Sequence, residues 1–380
     1  MRIRTPRRAA TAALLAMALI PATLTTATAA DIPAPDAPAV TVGVQSEDAK
    51  SVRDFWTPAR IKRALANSEK DDAAFAAKAT RAARAAGAAG AATGAAPQAA
   101  DLGLTAEAPR VLPAGSRSTM STAAAEAEDV PEMPVAQKVP FPQNAPFVVS
   151  GKIIFTDKAG EEHGCSGASI VSNSGNTVWT AGHCIHPGDG TGADGFYDKI
   201  TFMPGFRKND SVPDGYDAPW GKWVATKKVA PTQWTADGDV EDADMAAFEV
   251  TVPAGYTSLS AAVGAVGYRF GAGSDFSDVI DSGFPGEGYH RTDMDAFTHF
   301  YCTGNAEDAF DLNPLDDRVK VDCDMGKGAS GGPILTTDGQ LVSANSHYEA
   351  EEDGVTRKND DLFGSEHGDQ AVAVINEINS

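Results

Sequence analysis

From Val148 onward, the sequence consists of short β-rich runs that alternate with turn residues. Examples are Lys152–Thr156, Ser169–Ser172 and Lys199–Met203, and glycine, asparagine, aspartate and proline stand between such runs. Strands this short, separated by turns this frequent, are typical of sandwiches and barrels. The sequence therefore predicts an all-β fold for this part of the chain. Apolar residues recur three positions apart within residues 370–378, which predicts one helix at the carboxyl end.

Residues 1–30 have the three parts of a secretory signal peptide. Basic residues come first, the apolar run Ala12–Ile20 follows, and small residues precede a predicted cleavage after Ala29 or Ala30. The alternative is a membrane anchor, but this run is shorter than the roughly 20 residues of a spanning helix, and Pro21 interrupts it. We therefore expect a secreted, extracellular protein that has no membrane association once the signal is removed.

Residues 31–139 contain a long stretch that cannot form a hydrophobic core. Ala73–Ala100 is dominated by alanine and glycine, with almost no large apolar residue. We interpret residues 31–139 as an alanine-rich, largely disordered prosegment or linker, and residues 140–380 as the folded domain.

One short helix is predicted within this prosegment. Thr57 can cap a helix, Pro58 suits its first position, and Ile61, Ala64 and Leu65 would share one face. We favour a docking element of the prosegment; the alternative is an inert spacer.

The chain has four cysteines, all far downstream of the signal: Cys165, Cys184, Cys302 and Cys323. An even number in an exported chain predicts two disulfides. The pairs 165–184 and 302–323 close the shortest loops, and we predict this pairing. Zinc held by His163, His186 and the first two cysteines is the alternative, which an oxidising compartment disfavours.

Charge is distributed unevenly. Residues 131–380 hold 16 lysines and arginines against 39 aspartates and glutamates. Such a surface repels nucleic acid and anionic lipid, so neither is an expected partner. The acidic loops at residues 189–198 and 237–239 could bind calcium, although solvated loops are the default interpretation. We predict no metal and no cofactor.

Three local patterns carry chemistry. His183 stands beside Cys184, after a β-rich run, so a disulfide would hold the turn that carries a general base. Ser330 lies in a glycine-rich turn that would expose its hydroxyl, with the amides of Gly328 and Ser330 available to an oxyanion. Asp244 opens an apolar, strand-like run, where a buried carboxylate can hold the imidazole tautomer.

These patterns, in the order His, Asp, Ser, resemble those of the chymotrypsin-like (trypsin-fold) serine peptidases, and particularly the secreted bacterial branch that includes the glutamyl endopeptidases. The resemblance covers about residues 145–380. It implies two antiparallel six-stranded β-barrels, the first at about 145–255 and the second at about 256–380, with the site between them. It also implies that Ser330 is the nucleophile, His183 the acid–base and Asp244 the orienting carboxylate, with Asp242 as the rival for that last role.

The resemblance allows two interpretations of the substrate pocket, one for basic and one for acidic substrate side chains. Asp324, six residues before the serine, stands where trypsins keep the acidic base of their pocket. Ser346 matches the substrate-pairing position, and His347 follows it, whereas in glutamyl endopeptidases the histidine that binds an acidic side chain precedes the serine. Ala329 replaces the aspartate that animal trypsins pair with their new amino terminus.

Taken together, the patterns predict a monomeric, secreted serine endopeptidase, which cleaves protein or peptide substrates through an acyl-enzyme. The alternatives are a catalytically silent binding module of the same fold and a serine esterase, since one fold supports many functions.

Overall fold

The computed structural model describes residues 38–67, 102–113, 133–309, 316, 318–351, 353 and 356–380. The predicted signal peptide and the Ala73–Ala100 tract lie outside the described residues. In chain order the elements are β1 (Val40–Val44), α1 (Ala49–Phe55), α2 (residues 58–67), β2 (Ala106–Ala108), β3 (Met133–Lys138), β4 (Ser150–Thr156), β5 (Glu162–Ile170), β6 (Thr177–Thr180), β7 (Asp198–Pro204), β8 (Arg207–Lys208), β9 (Tyr216–Asp217), β10 (Trp223–Pro231), α3 (Thr232–Asp237), β11 (Ala246–Thr251), α4 (Leu259–Val263), β12 (Gly267–Phe270), β13 (Phe276–Gly283), β14 (Phe300–Asp308), β15 (Val319–Asp322), β16 (Pro333–Thr336), β17 (Gln340–His347), β18 (Asp361–Gly364) and α5 (Asp369–Asn379).

Most of the strands form two closed barrels. The first has the order β10-β11-β6-β5-β4-β7 and closes where β7 pairs with β10. The second has the order β16-β13-β14-β15-β18-β17 and closes where β16 pairs with β17. All neighbouring strands within each barrel are antiparallel. Closure pairs most strand edges within each barrel, which is how short strands avoid unpaired backbone groups. The prediction of two six-stranded antiparallel barrels is confirmed.

The predicted carboxyl-terminal helix is also confirmed, as α5. Val372, Ile375 and Ile378 are buried on one face, and the helix packs against β10 and β11 of the first barrel. An apolar stripe at this spacing needs a partner surface. Helix α5 therefore ties the end of the chain back onto the first barrel.

Three short strands from the predicted prosegment extend the two sheets. Strand β1 pairs with β10 of the first barrel, β3 pairs with β14 of the second, and β2 pairs with β12, which lies parallel to β17. These described pieces of residues 31–139 are thus joined to the barrels through backbone hydrogen bonds.

The helix predicted at Pro58 is confirmed as α2. Ile61, Ala64 and Leu65 are buried as predicted, in a cluster that includes Ile154 of β4 and Phe284, which follows β13. Beside this apolar contact, Glu162 accepts hydrogen bonds from two helix arginines, at 2.5 Å from Arg60 and 2.9 Å from Arg63. The helix therefore docks on the barrels, while its role as an element of a prosegment stays a prediction.

Within the described part of the chain, no helix combines the length and the apolar character needed to cross a membrane.

Candidate active site

A disulfide holds the turn that carries His183. The chain leaves β6 and forms one 3₁₀ turn, Gly182–Cys184, and the disulfide Cys165–Cys184 joins this turn to β5. The second disulfide is Cys302–Cys323, so both predicted pairs are present. Strand β6 and the disulfide to β5 therefore hold the backbone of His183 in place, which fixes the position from which its imidazole extends.

Both carboxylate oxygens of Asp244 form hydrogen bonds with His183. Its Oδ2 lies 2.8 Å from His183 Nδ1, and its Oδ1 accepts the backbone N–H of His183, also at 2.8 Å. Burial would raise the pKa of this carboxyl, but the charge of His183 and the hydrogen bonds to Asp244 outweigh burial and lower it. An ionised Asp244 keeps the ring proton on Nδ1, so Nε2 is the nitrogen with a lone pair. Asp244, and not its rival Asp242, lies against the histidine.

The loop of Ser330 packs against β5 and β6, the two strands next to the turn of His183. The carbonyl of Ser330 accepts the N–H of Ser166 at 2.7 Å, and Ser166 neighbours the disulfide-bonded Cys165. Gly331 has φ +77°, and a Cβ there would lie 2.0 Å from Thr180 Oγ1 and 2.4 Å from the carbonyl of Ser166. Only glycine allows this approach. The serine loop of the second barrel thus meets the strands beside His183 in the first.

One backbone peptide in the serine loop has a fixed orientation. The carbonyl of Lys327 accepts the N–H of Gly286 at 2.7 Å, and the following peptide bond is trans. In a trans peptide the next N–H points away from the carbonyl, so the amide of Gly328 faces the opposite side. Gly328 has φ +91°, and a Cβ there would lie 2.8 Å from the carbonyl of Phe284. A glycine at this position therefore fixes the orientation of the amide that the sequence predicts as an oxyanion donor.

The sequence analysis missed a buried lysine behind this loop. Lys152 of β4 is fully buried, and its Nζ lies 3.2 Å from the carbonyl of Phe284 and 3.4 Å from that of Gly328. Ser166 Oγ donates to the same Gly328 carbonyl at 2.8 Å and accepts the N–H of Phe284 at 3.0 Å. First-barrel side chains thus hold the Gly328 loop from behind.

Ser346 and His347 lie beside the histidine–aspartate pair. Ser346 Oγ donates to Asp244 Oδ2 at 2.5 Å and lies 2.8 Å from His347 Nδ1. His347 is buried, and its Nε2 lies 2.9 Å from Nη1 of Arg318, a residue that the sequence analysis did not single out. Burial and the charge of Arg318 lower the pKa of His347 to about 3, so the ring is neutral.

The third predicted pocket residue is already paired within the protein. Asp324 is buried, and its carboxylate accepts the N–H of Ala136 in β3 at 2.7 Å and forms an ion pair with Arg291 at 3.1 Å. The structure therefore brings His183, Asp244, Ser346 and His347 into contact and holds the loop of Gly328 and Ser330 against the neighbouring strand β5, while Asp324 is ion-paired with Arg291.

One cluster and two acidic loops among the described residues have side chains of the kind that bind metal ions. The cluster with metal-ligand geometry there is Cys165, His183 and Cys184, whose sulfurs are bonded to each other and offer no thiolate. In the acidic loops, Asp189 accepts hydrogen bonds from Thr191 and Asp239 accepts them from Gln233 and Glu241. These carboxylates cap their own turns.

Comparison with known proteins gives structural but not sequence-level relatives. No family model and no curated protein matches the chain. Among solved structures, the protease Anisep from Arthrobacter nicotinovorans is 26% identical with a TM-score of 0.53, over 64% of this chain and 99% of its own. A thermostable serine protease, AL20, from an extremophilic microorganism is 24% identical with a TM-score of 0.48, over 61% and 97%. A Glu endopeptidase is 19% identical with a TM-score of 0.46, over 64% and 95%.

Proposed function

Since this chain belongs to the chymotrypsin-like serine proteases, we propose that it is a secreted endopeptidase whose nucleophile is Ser330, with His183 as acid–base and Asp244 as orienter. The observation that carries the proposal is the two-point contact of Asp244 with His183, next to a serine loop bonded to the neighbouring strand. The substrates are proteins or peptides.

The proposed first step forms an acyl-enzyme. Ser330 Oγ attacks the scissile carbonyl carbon while His183 Nε2 takes its proton, because a serine hydroxyl is a weak nucleophile without an adjacent base. The histidinium then gives this proton to the leaving amine, and the C–N bond breaks. Asp244 stays ionised throughout and stabilises the histidinium.

The second step releases the acyl group. A water molecule donates its proton to His183 and attacks the ester carbonyl, and the proton returns to Ser330 as the ester bond breaks. In both steps the negative charge on the carbonyl oxygen is stabilised by the amides of Gly328 and Ser330. Such a donor contributes about 3 kcal/mol to the transition state.

Activation has to differ from that of animal trypsins, because Ala329 has no carboxylate for a new amino terminus. We propose that maturation, if it controls activity, removes a masking part of residues 31–139. A full-length secreted form as active as the trimmed form would contradict this.

The test is cleavage of a denatured protein mixture by the secreted protein, with the Ser330→Ala variant as control and the new termini read by mass spectrometry. A serine-directed phosphonate should label the wild type at Ser330 and leave the variant unlabelled. Loss of all cuts in the variant supports the proposal. Labelling without cuts, but with turnover of simple esters, would indicate an esterase. Neither labelling nor cuts would indicate a binding module.

A further inference from the structure

A line of hydrogen bonds leads from Asp244 to a buried arginine. Asp244 Oδ2 and Ser346 Oγ are 2.5 Å apart, Ser346 Oγ and His347 Nδ1 are 2.8 Å apart, and His347 Nε2 and Arg318 Nη1 are 2.9 Å apart. All four residues are buried, so water does not compete for these bonds.

The direction of each bond follows from the end groups. A guanidinium can only donate, so His347 Nε2 accepts from Arg318. A neutral imidazole that accepts at Nε2 carries its proton on Nδ1, which therefore donates to Ser346. The hydroxyl of Ser346 is then left to donate to Asp244, which is ionised. Every hydrogen bond in the line thus points toward the carboxylate.

Arg318 is fixed in place at the far end. Its guanidinium contacts Asp316 at 2.6 Å and Glu349 at 3.2 Å, and its side chain is 3% exposed. It also lies 4.4 Å from the centre of the Phe363 ring, on which His347 stacks. Because Asp316 is buried, Arg318 cannot move away from His347 without separating this carboxylate from its ion-pair partner.

We infer that Arg318 is a positioning residue for the hydrolysis proposed above: it fixes the tautomer of His347 and thereby commits the hydroxyl of Ser346 to Asp244. Without Arg318, His347 can carry its proton on Nε2 and accept from Ser346 at Nδ1. Asp244 then loses one donor, becomes more basic, and holds the proton on His183 more strongly. The expected kinetic effects rest on the proposed function. The expected tautomer of His347 does not, because it can be measured without any activity.

The experiment compares Arg318→Met and Arg318→Lys with Lys320→Met, which removes a partly exposed cation from β15, the strand that begins immediately after Arg318. Steady-state kinetics on a cleaved peptide give kcat, KM and the pH profile of kcat/KM for each variant. Phosphonate labelling counts active sites, and NMR of ¹⁵N-histidine-labelled protein reads the tautomer of His347. The ionisable groups facing His347 are Arg318, Asp244, Glu349 and His183.

For Arg318→Met, we expect kcat to fall on the order of tenfold with KM nearly unchanged, since coupling through a buried network has this size. We expect the acid limb of the profile to move up by about half a pH unit, because the pKa of His183 rises. His347 should change from the Nδ1–H to the Nε2–H tautomer. Arg318→Lys, which can still donate, should restore the tautomer and most of the activity.

Equal kcat and equal acid limbs in Arg318→Met and Lys320→Met would overturn the inference. If Arg318→Met does not fold, as shown by loss of labelled sites, Arg318→Lys decides. An Nε2–H tautomer of His347 in that variant, together with a wild-type pH profile of kcat/KM, would equally overturn the inference. If the wild type itself shows no Ser330-dependent turnover, the proposed function fails. The tautomer of His347 in the wild type still shows whether the hydrogen bonds run from Arg318 toward Asp244.

Discussion

The backbone carbonyl of Ser330 accepts the backbone N–H of Ser166 at 2.7 Å, which joins the proposed nucleophile of one barrel to a strand of the other. The side chain of Ser166 adds two further bonds across the same junction, to the backbone of Phe284 and of Gly328. One residue of β5 thus holds both the serine and the peptide proposed to stabilise its oxyanion.

We predict that Ser166→Ala lowers both stability and activity. The change leaves the buried N–H of Phe284 without this acceptor and removes one donor to Gly328, which we expect to lower the free energy of unfolding by about 2 kcal/mol. The value of kcat should fall while KM stays similar, and urea unfolding with peptide kinetics measures both. The control is Ser169→Ala on the same strand, where the buried hydroxyl has no hydrogen-bond partner among the described residues and its loss should be neutral. Equal effects of the two changes would contradict the prediction.

The disulfide Cys165–Cys184 should matter for activity as well as for stability. Its cysteines are separated by 19 positions, and replacing both with alanine should lower the free energy of unfolding by about 3 kcal/mol. Because this disulfide holds the turn of His183, kcat should fall further than in the matched Cys302→Ala/Cys323→Ala variant at temperatures where both are folded. Circular dichroism and peptide kinetics test this, and equal kcat values in the two variants would refute it.

Stability should fall from mildly acidic to mildly alkaline pH because of Asp281. This carboxyl is fully buried, Asn345 donates to it at 2.6 Å, and burial raises its pKa from 3.8 to about 7. A raised pKa in the folded state means that the folded protein holds the proton longer, so the stabilisation is complete below about pH 4 and is lost as the pH rises through 7. Urea unfolding between pH 5 and pH 8 should show this loss in the wild type and a flatter dependence in Asp281→Asn. The exposed Glu307→Gln variant should keep the wild-type slope; a parallel slope in Asp281→Asn would count against the assignment.

Asp324 should not determine a preference for basic substrates. Its carboxylate already pairs with Arg291 and accepts the N–H of Ala136, so a substrate lysine or arginine would have to displace an internal cation. We expect Asp324→Asn to lower stability without changing the residues at which proteins are cut. Cleavage-site profiling by mass spectrometry tests this. A selective loss of cuts after lysine and arginine would return Asp324 to the pocket.

Much of this molecule could be predicted from local sequence. Pairing of cysteines by loop length is correct, and the helices at residues 58–67 and 369–379 follow from their apolar spacing. The triad roles, which came from motifs and resemblance, stay predictions, but the structure places the three residues in one region. In each case the signal lies within a stretch of about twenty residues of the chain.

What was missed depends on strand pairing. Arg318 and His347 are 29 residues apart and meet because β15 and β17 both pair with β18, which no local pattern indicates. Lys152 lies in a β-rich run where a lysine ordinarily marks the solvent side, yet it is buried against the second barrel. Strand β2 is only three residues long and shows no alternation strong enough to stand out from its surroundings.

The pairing of the amino-terminal strands also sets an order on folding. Val42 pairs with Val229, Glu107 with Arg269 and Met133 with Thr303, and every residue pair of these strands is at least 160 positions apart in the chain. Closing loops of this length costs entropy before any contact repays it, which makes such pairings slow and late. Strands β1, β2 and β3 are therefore synthesised before the barrels but are among the last elements to pair, and the barrels must largely exist before these strands can be added.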